Sequence, residues 1–153
     1  MHRQTGVDVA AMPPDRPAPT EGRYHRPGEP WPLYASLEPA TAWGEWQAAT
    51  RGAIDPAAER RRLWRIEVDG LAVVDLRRPG VAEELGVSHR QLTGARSRAH
   101  GLATKARGLG AEGLVVPSAA REGGWNLVVF PPGFGRLRVA GSRVMHPRPP
   151  GAA

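Results

Sequence analysis

Proline and glycine divide this chain of 153 residues into short segments, which limits the structures that it can form. Most of residues 1–21 cannot be a continuous helix or a central strand because of four prolines, Pro13, Pro14, Pro17 and Pro19. We expect a loop-rich N-terminal part there, with a short first strand around residues 2–9. Residues 147–153 are again rich in proline and glycine, and we expect a disordered tail.

The segments that follow the N-terminal part show strand and helix patterns in turn. Residues 33–36 alternate apolar and small side chains as a short strand does, and Pro39 has the fixed φ that suits the first position of a helix. After a break at Asp55-Pro56, residues 63–68 alternate with a period of two. Asp69-Gly70 is a turn dipeptide, so residues 71–76 are predicted to return beside 63–68 as an antiparallel hairpin.

The second half of the chain continues this mixture. A short helix over 81–85 ends at Gly86, and an apolar stripe predicts one amphipathic helix over 92–109. Further strand patterns lie at 114–117, 126–130, 137–140 and 143–145. The sequence therefore predicts one α+β domain over residues 1–146, with a central, largely antiparallel sheet and flanking helices.

Composition narrows the class of protein. The chain has no cysteine. Its N-terminus has no apolar run as long as that of a signal peptide, and no apolar run approaches the length of a membrane span, so we expect a cytoplasmic protein without a membrane partner. The five histidines, His2, His25, His89, His100 and His146, have no metal-ligand spacing, and we assign no metal.

The net charge of +6 and the pI of about 11.1 would suit a nucleic-acid-binding protein. Lys105 is the only lysine, however, so the excess comes from arginine in a chain that is also rich in alanine, glycine and proline. We interpret the run Arg60–Arg62 as a solvated helix end or a linker. Direct nucleic-acid binding is not expected.

Three residues stand out as a candidate site. Arg23 and Tyr34 are eleven residues apart, as are Tyr34 and Glu45, so a loop, a strand and a helix supply a cation, an aromatic ring and an acid. On its predicted helix Glu45 shares a face with small and apolar residues, where a carboxylate is costly unless something uses it. The spacing alone is equally consistent with an ordinary ion pair and a packed tyrosine.

Two blocks of the chain resemble a known family. The first runs from Gly22-Arg23-Tyr24-His25-Arg26-Pro27-Gly28 to Leu33-Tyr34-Ala35-Ser36 and on to Glu45, and the second contains Val115-Val116-Pro117-Ser118 and Gly123-Gly124-Trp125-Asn126. Both are similar to signatures of the RES domain, the toxin half of RES/Xre toxin–antitoxin pairs. The similarity covers most of residues 22–131.

This resemblance implies an ADP-ribosyltransferase-like fold and NAD as the substrate, with Arg23, Tyr34 and Glu45 as catalytic residues. By the same resemblance Glu45 would stabilise the ribose in the transition state, and Arg23 would hold the pyrophosphate. Tyr24 and Tyr34 would form aromatic walls, Ser118 would contact the carboxamide or the ribose, and Arg3 stands where the family has a further arginine. Tyr24 and His25 depart from the family's more usual tryptophan and asparagine.

The function that follows is that of a type II toxin that breaks the nicotinamide–ribose bond of NAD, by hydrolysis or by phosphorolysis. Two alternatives stay open from the sequence: an ADP-ribosyltransferase that modifies a protein or nucleic acid, and a non-catalytic basic binding module. The implied partner is an Xre-type antitoxin with a helix-turn-helix, and a homo-oligomer within that complex is possible.

Overall fold

A seven-stranded sheet forms the centre of the molecule. The structure, a computed structural model, describes residues 1–147. The strands are β1 (His2–Gly6), β2 (Leu33–Ser36), β3 (Arg61–Val68), β4 (Val73–Asp75), β5 (Gly113–Pro117), β6 (Trp125–Val129) and β7 (Leu137–Met145). Their order is β4-β5-β6-β2-β1-β3-β7, and every neighbouring pair is antiparallel except β4 with β5. The predicted α+β class and largely antiparallel sheet are confirmed.

Four helices flank this sheet: α1 (Pro39–Ala49), α2 (Val81–Leu85), α3 (His89–Thr93) and α4 (Arg96–Gly108). The predicted short first strand, the strand at 33–36 and the helix that starts at Pro39 are all present. Among residues 1–147 no helix is long and apolar enough to cross a membrane. Of the predicted tail, only Pro147 lies within the described residues.

The central strands β5 and β6 are buried on both faces of the sheet: their successive side chains point to opposite sides, and both sides are covered. On one face Leu114, Val116 and Val128 pack in a cluster with Phe130 and the apolar side of α4. On the other face Val115, Leu127 and Val129 pack with Leu33 and Ile66. The near-continuous apolar sequence of these two strands is thus explained by burial from both sides.

The predicted hairpin between residues 63–68 and 71–76 is wrong. Strand β3 already has partners on both edges, since β1 pairs with one and β7 with the other. The chain still turns at Gly70, where φ is +64°, but β4 then runs parallel to β5 at the far edge of the sheet. Two hydrogen bonds join Ala72 to Glu112 just before β4: the Ala72 N–H donates to the Glu112 carboxylate, and the Glu112 N–H donates to the Ala72 carbonyl.

The predicted helix over 92–109 is two helices. Ser88 caps α3: its hydroxyl accepts a bond from the Gln91 N–H, and the Gln91 side chain accepts one from the Ser88 N–H. Helix α3 ends at Gly94, which leaves the helical conformation, and Ala95 is extended before α4 begins. Helix α3 begins at His89, before the predicted start at residue 92, and the Ser88-x-x-Gln91 capping box was the sequence signal for that start.

The two strands predicted at 137–140 and 143–145 form one continuous strand, β7. Strand β7 continues through Gly141, where φ is +157° and the register against β3 shifts between Arg65 and Ile66. A glycine at this bulge keeps the strand continuous, because it tolerates a backbone conformation that other residues avoid. Arg61 and Arg62 lie within β3 instead of in a helix end or linker, so that interpretation of the run was wrong.

The close packing of β5 against β6 gives a prediction about stability. A Cβ at Gly113 would lie 2.6 Å from the backbone oxygen of Val128, which cannot rotate away. Gly113→Ala should therefore lower the free energy of unfolding by about 1–3 kcal/mol. Gly101→Ala in α4 is the control: a Cβ there has no atom within 4 Å, and alanine should stabilise the helix by about 0.5–1 kcal/mol.

Urea denaturation of both variants and the parent would measure these differences. Equal midpoints for Gly113→Ala and the parent would contradict the proposed clash.

Candidate active site

A cavity of about 390 Å³ opens between β1, β2, the ends of β5 and β6, one face of α1 and the loop that contains Arg23. It lies on the face of the sheet that carries α4, since Tyr34 and Val128 line it and also belong to the core on that face. The lining includes cations, tyrosines, an acid and small polar groups: Arg3, Arg23, Tyr24, Tyr34, Ser36, Glu45 and Asn126. This size is within the range of pockets that bind small molecules.

Glu45 projects from α1 into this cavity and is held on one side only. Its Oε1 accepts a hydrogen bond of 2.7 Å from the Ser118 hydroxyl and one of 2.6 Å from the Asn126 amide. The Asn126 amide is oriented in turn by Ser36, whose hydroxyl donates to Asn126 Oδ1 at 2.7 Å. Within residues 1–147 the second oxygen, Oε2, has no hydrogen-bond partner, so it is available to a ligand.

Ser118 is occupied by its own surroundings. It is 4% exposed, its hydroxyl hydrogen goes to Glu45, and its oxygen accepts the backbone N–H groups of Ala120 and Arg121 at 3.1 and 3.0 Å. A hydroxyl with this bonding orients Glu45 and is poorly placed for nucleophilic attack. Contact of Ser118 with the carboxamide or the ribose stays a prediction.

Arg23 lines the cavity without pairing with Glu45. Its Nη1 donates to the backbone oxygens of Leu92 and Gly94 at 3.0 and 2.9 Å, so the break between α3 and α4 supplies the acceptors. Among the ion pairs of residues 1–147 none joins Arg23 to Glu45, and the ordinary ion pair that the spacing allowed is therefore wrong. The remaining donors of the guanidinium are available to an anion.

Two further polar groups in the cavity wall lack partners. Arg3 lies on β1, and its buried Nη1 has no hydrogen-bond partner within residues 1–147; the same holds for the hydroxyl of Tyr24, a residue that is 2% exposed. Burial lowers the pKa of Arg3 and raises that of Tyr24, so the phenol is neutral. Buried donors without partners are uncommon in folded proteins, and at a cavity they indicate ligand contacts.

Tyr34 is fixed by a chain of hydrogen bonds. Its hydroxyl accepts the Tyr24 N–H at 2.9 Å and lies 2.9 Å from Nδ1 of His25. Gly22 lets these side chains approach, because a Cβ there would lie 2.1 Å from the His25 ring and 2.9 Å from the Tyr34 oxygen. Burial raises the pKa of Tyr34, which keeps its proton at physiological pH.

The structure thus brings Arg3, Arg23, Tyr24, Tyr34 and Glu45 to one cavity, as the sequence indicated, and places Ser118 directly behind Glu45. Two residues that the sequence did not single out complete the arrangement, Ser36 and Asn126. They are paired directly across β2 and β6, a relation that only the strand register reveals. Both nevertheless lie inside the two matched sequence blocks.

Chemically, the cavity combines a fixed carboxylate with two guanidinium groups and two aromatic rings. Arginines bind phosphate groups well because of their planar set of donors, and the carboxylate suits a part of the ligand that becomes positive during reaction. No group of three or more histidine, cysteine, aspartate or glutamate residues within 1–147 is arranged to hold a metal ion.

The sequence and the fold are similar to those of known proteins. One relative, named probable NAD(+) phosphorylase, from Mycobacterium tuberculosis, is 33% identical over 134 residues; these are 87% of this chain but 65% of the relative, so the chain spans less than two thirds of that protein. A chain in the crystal structure of the M. tuberculosis MbcT-MbcA toxin-antitoxin complex superimposes with a TM-score of 0.77 at 26% identity, covering 95% of this chain and 83% of that one. The family model described as RES domain matches residues 2–148, and the chain belongs to this family.

Proposed function

We propose that this protein is the toxin of a type II toxin–antitoxin system and that it cleaves the bond between nicotinamide and ribose in NAD. The names of the two similar proteins support this proposal, one as an NAD(+) phosphorylase and the other as part of a toxin–antitoxin complex. The cavity supports it independently, since it offers cations, aromatic rings and one acid to a single ligand.

The observation that carries the proposal is the arrangement around Glu45. Ser118 and Asn126 hold one of its oxygens and leave the other toward the cavity. When the C–N bond breaks, its electron pair leaves with nicotinamide, which becomes neutral, and positive charge develops on the ribose ring. A carboxylate that is already oriented stabilises this charge without reorganising during the reaction.

The other residues would bind and orient the substrate. Arg3 and Arg23 have free guanidinium donors at the cavity and would bind the pyrophosphate. Tyr24 and Tyr34, whose rings are 6.5 Å apart and inclined by 40°, would form the wall against the nicotinamide ring. Because nicotinamide leaves as a neutral molecule, no strong general acid is required.

The reaction ends when an oxygen or nitrogen atom of an acceptor bonds to the ribose carbon. Water would give ADP-ribose after it loses a proton, and inorganic phosphate would give the phosphorylated sugar nucleotide. A hydroxyl or amine of a macromolecule would instead give an ADP-ribosylated product. We favour a small acceptor, because the site is a cavity with cationic groups that also suit phosphate.

Purified protein should consume NAD and release nicotinamide in stoichiometric amounts. Incubation with water alone, with inorganic phosphate, or with a cell extract, followed by chromatography of the products, identifies the acceptor. Faster turnover with phosphate and a phosphorylated product would indicate phosphorolysis. Intact NAD in all three mixtures, with protein shown to be folded by circular dichroism, would contradict the proposed function.

Replacing Glu45 by Gln should abolish most of this activity while leaving the fold intact. Gln keeps an oxygen for Ser118 and Asn126 and loses only the charge, so we expect turnover to fall roughly 10²–10³-fold. The melting temperature should stay close to that of the parent, because both hydrogen bonds remain.

Glu122→Gln is the matched control, since Glu122 is exposed in the connection between β5 and β6 and does not line the cavity. It should retain full turnover. A Glu45→Gln protein that turns over NAD as fast as this control would leave the catalytic assignment without support.

The proposed partner is an Xre-type antitoxin whose acidic segment covers the cavity. Exposed cations lie beside the loop that contains Arg23, and we define this basic face by Arg26, which contacts Thr104 of α4, and by Arg96 at the start of α4, which pairs with Glu21. Arg107 is not part of it, because its guanidinium is bound to the Phe130 ring and to the Tyr24 carbonyl. Positive surface of this kind speeds association with an acidic partner.

Reversing both of these charges, in the double variant Arg26→Glu with Arg96→Glu, should slow association with the protein encoded beside the toxin by about tenfold or more at low salt. Surface plasmon resonance at several salt concentrations would measure the rate. Arg143→Glu, on the exposed side of β7, is the control and should have little effect. Equal association rates for both variants would contradict this surface.

A further inference from the structure

His25 is buried beside the cavity and is held at both ring nitrogens. It is 5% exposed, its Nε2 lies 3.1 Å from the carbonyl oxygen of Thr20, and its Nδ1 lies 2.9 Å from the hydroxyl of Tyr34. His25 itself is not in the cavity lining, whereas Tyr34 is. Any effect of His25 on the reaction would therefore pass through Tyr34.

The partners fix the direction of each hydrogen bond. A carbonyl oxygen can only accept, so Nε2 of His25 carries the hydrogen, and Nδ1 of the neutral ring is the acceptor. The Tyr34 hydroxyl must then donate to Nδ1, while its oxygen accepts the N–H of Tyr24. The only proton of this phenol is thus directed away from the cavity, and the ring is anchored through its oxygen.

We propose that His25 is a positioning residue for Tyr34: its neutral imidazole binds the Tyr34 proton and fixes the ring in the cavity wall, and its protonation releases that proton and slows NAD cleavage. This inference rests on the proposed function. A doubly protonated ring has hydrogen on both nitrogens, so Nδ1 can no longer accept. The Tyr34 oxygen would face two N–H donors, and its own proton would have to turn toward another acceptor.

The surroundings of His25 favour the neutral form. Burial is the largest influence and lowers the pKa of His25, and the nearby His100 and Arg107 side chains act in the same direction. The Thr20 carbonyl and Glu29 oppose this shift by stabilising the charged ring. The pKa lies below its ordinary value, so the site is in its working state at neutral pH, and activity should be lost only as the pH falls through that lowered pKa.

Tyr34 itself does not titrate in this range. Burial raises its pKa, and although Arg23, Arg96 and Arg107 act against that shift, the phenol stays protonated. Its neighbour Tyr24 is also a neutral phenol, with its pKa raised by burial. A loss of activity on the acid side therefore comes from another group. Besides the Glu45 carboxylate, two histidines need to be separated from His25: His2, which lines the cavity, and His100, which contacts the Gly22 carbonyl.

The test is the pH dependence of kcat/KM for NAD between pH 5 and 8 in the parent and three variants. In His25→Asn the amide oxygen replaces Nδ1 as acceptor and cannot be protonated in this range. This variant should keep activity at pH 7.5 within a few-fold of the parent and lose the acid limb. In His25→Leu, Tyr34 has no acceptor, and kcat/KM should fall roughly three- to tenfold at every pH, the value expected for one lost hydrogen bond.

The controls are His2→Gln and His100→Gln, whose acid limbs should persist. The kcat/KM of the parent should fall by at most about tenfold per pH unit through the pKa of His25, because one proton is involved, and should level off near the value of His25→Leu, which also lacks the acceptor. If His25→Leu fails to fold, His25→Asn alone decides. An unchanged acid limb in His25→Asn, or its loss in His2→Gln instead, overturns the inference.

A second measurement does not depend on catalysis. Two-bond ¹H–¹⁵N correlation spectra of the free protein report which ring nitrogen of His25 carries hydrogen. We expect the Nε2–H tautomer at pH 7.5, with a midpoint that matches the acid limb of the parent. An Nδ1–H tautomer overturns the positioning role. If the parent fails to cleave NAD at any pH, the proposed function fails, while these spectra still test the interaction between His25 and Tyr34.

Discussion

The pairing of β2 with β6 is the constraint on which the site depends. In this register Tyr34 lies opposite Val128 and Ser36 lies opposite Asn126. Because side chains alternate along a strand, a slip by one residue would move Tyr34 and Ser36 to the other face of the sheet. The network that orients Glu45 would then be lost, since Ser36 could no longer hold the Asn126 amide. The buried apolar residues on the opposite face of the two strands, Leu33, Ala35 and Leu127, make such a slip costly.

The loop that carries Arg23 depends on α3 and α4 in a comparable way. Arg23 is anchored by the carbonyls at the end of α3, and the Gly22 carbonyl lies 2.9 Å from the His100 ring on α4. Arg107 adds a contact from its guanidinium to the Phe130 ring, 4.5 Å from the centroid, and donates to the Tyr24 carbonyl. Several arginines of this basic chain therefore hold the site together, which explains part of its charge without a nucleic-acid partner.

The sequence predicted the elements whose signals are local. Pro39 marked the start of α1, and alternation or apolar runs marked β2, β5 and β6. It failed where a distant partner decides the outcome: β4 could not pair with β3, because both edges of β3 were taken by strands from the two ends of the chain. In the site, the resemblance singled out Arg23, Tyr34 and Glu45, and the structure places all three in the lining of one cavity. Ser36 and Asn126 were missed because their roles arise only from register.

Polar groups without partners in the cavity wall lower the free energy of unfolding of the protein. The Nη1 of Arg3 and the hydroxyl of Tyr24 are buried within the described chain without partners, and each such group costs about 1–3 kcal/mol. The free carboxylate oxygen of Glu45 faces the same cavity. All three groups belong to residues that line this cavity. The folded protein already bears the free-energy cost of leaving these groups without partners. Because the groups are already oriented, less reorganisation is needed when a ligand binds.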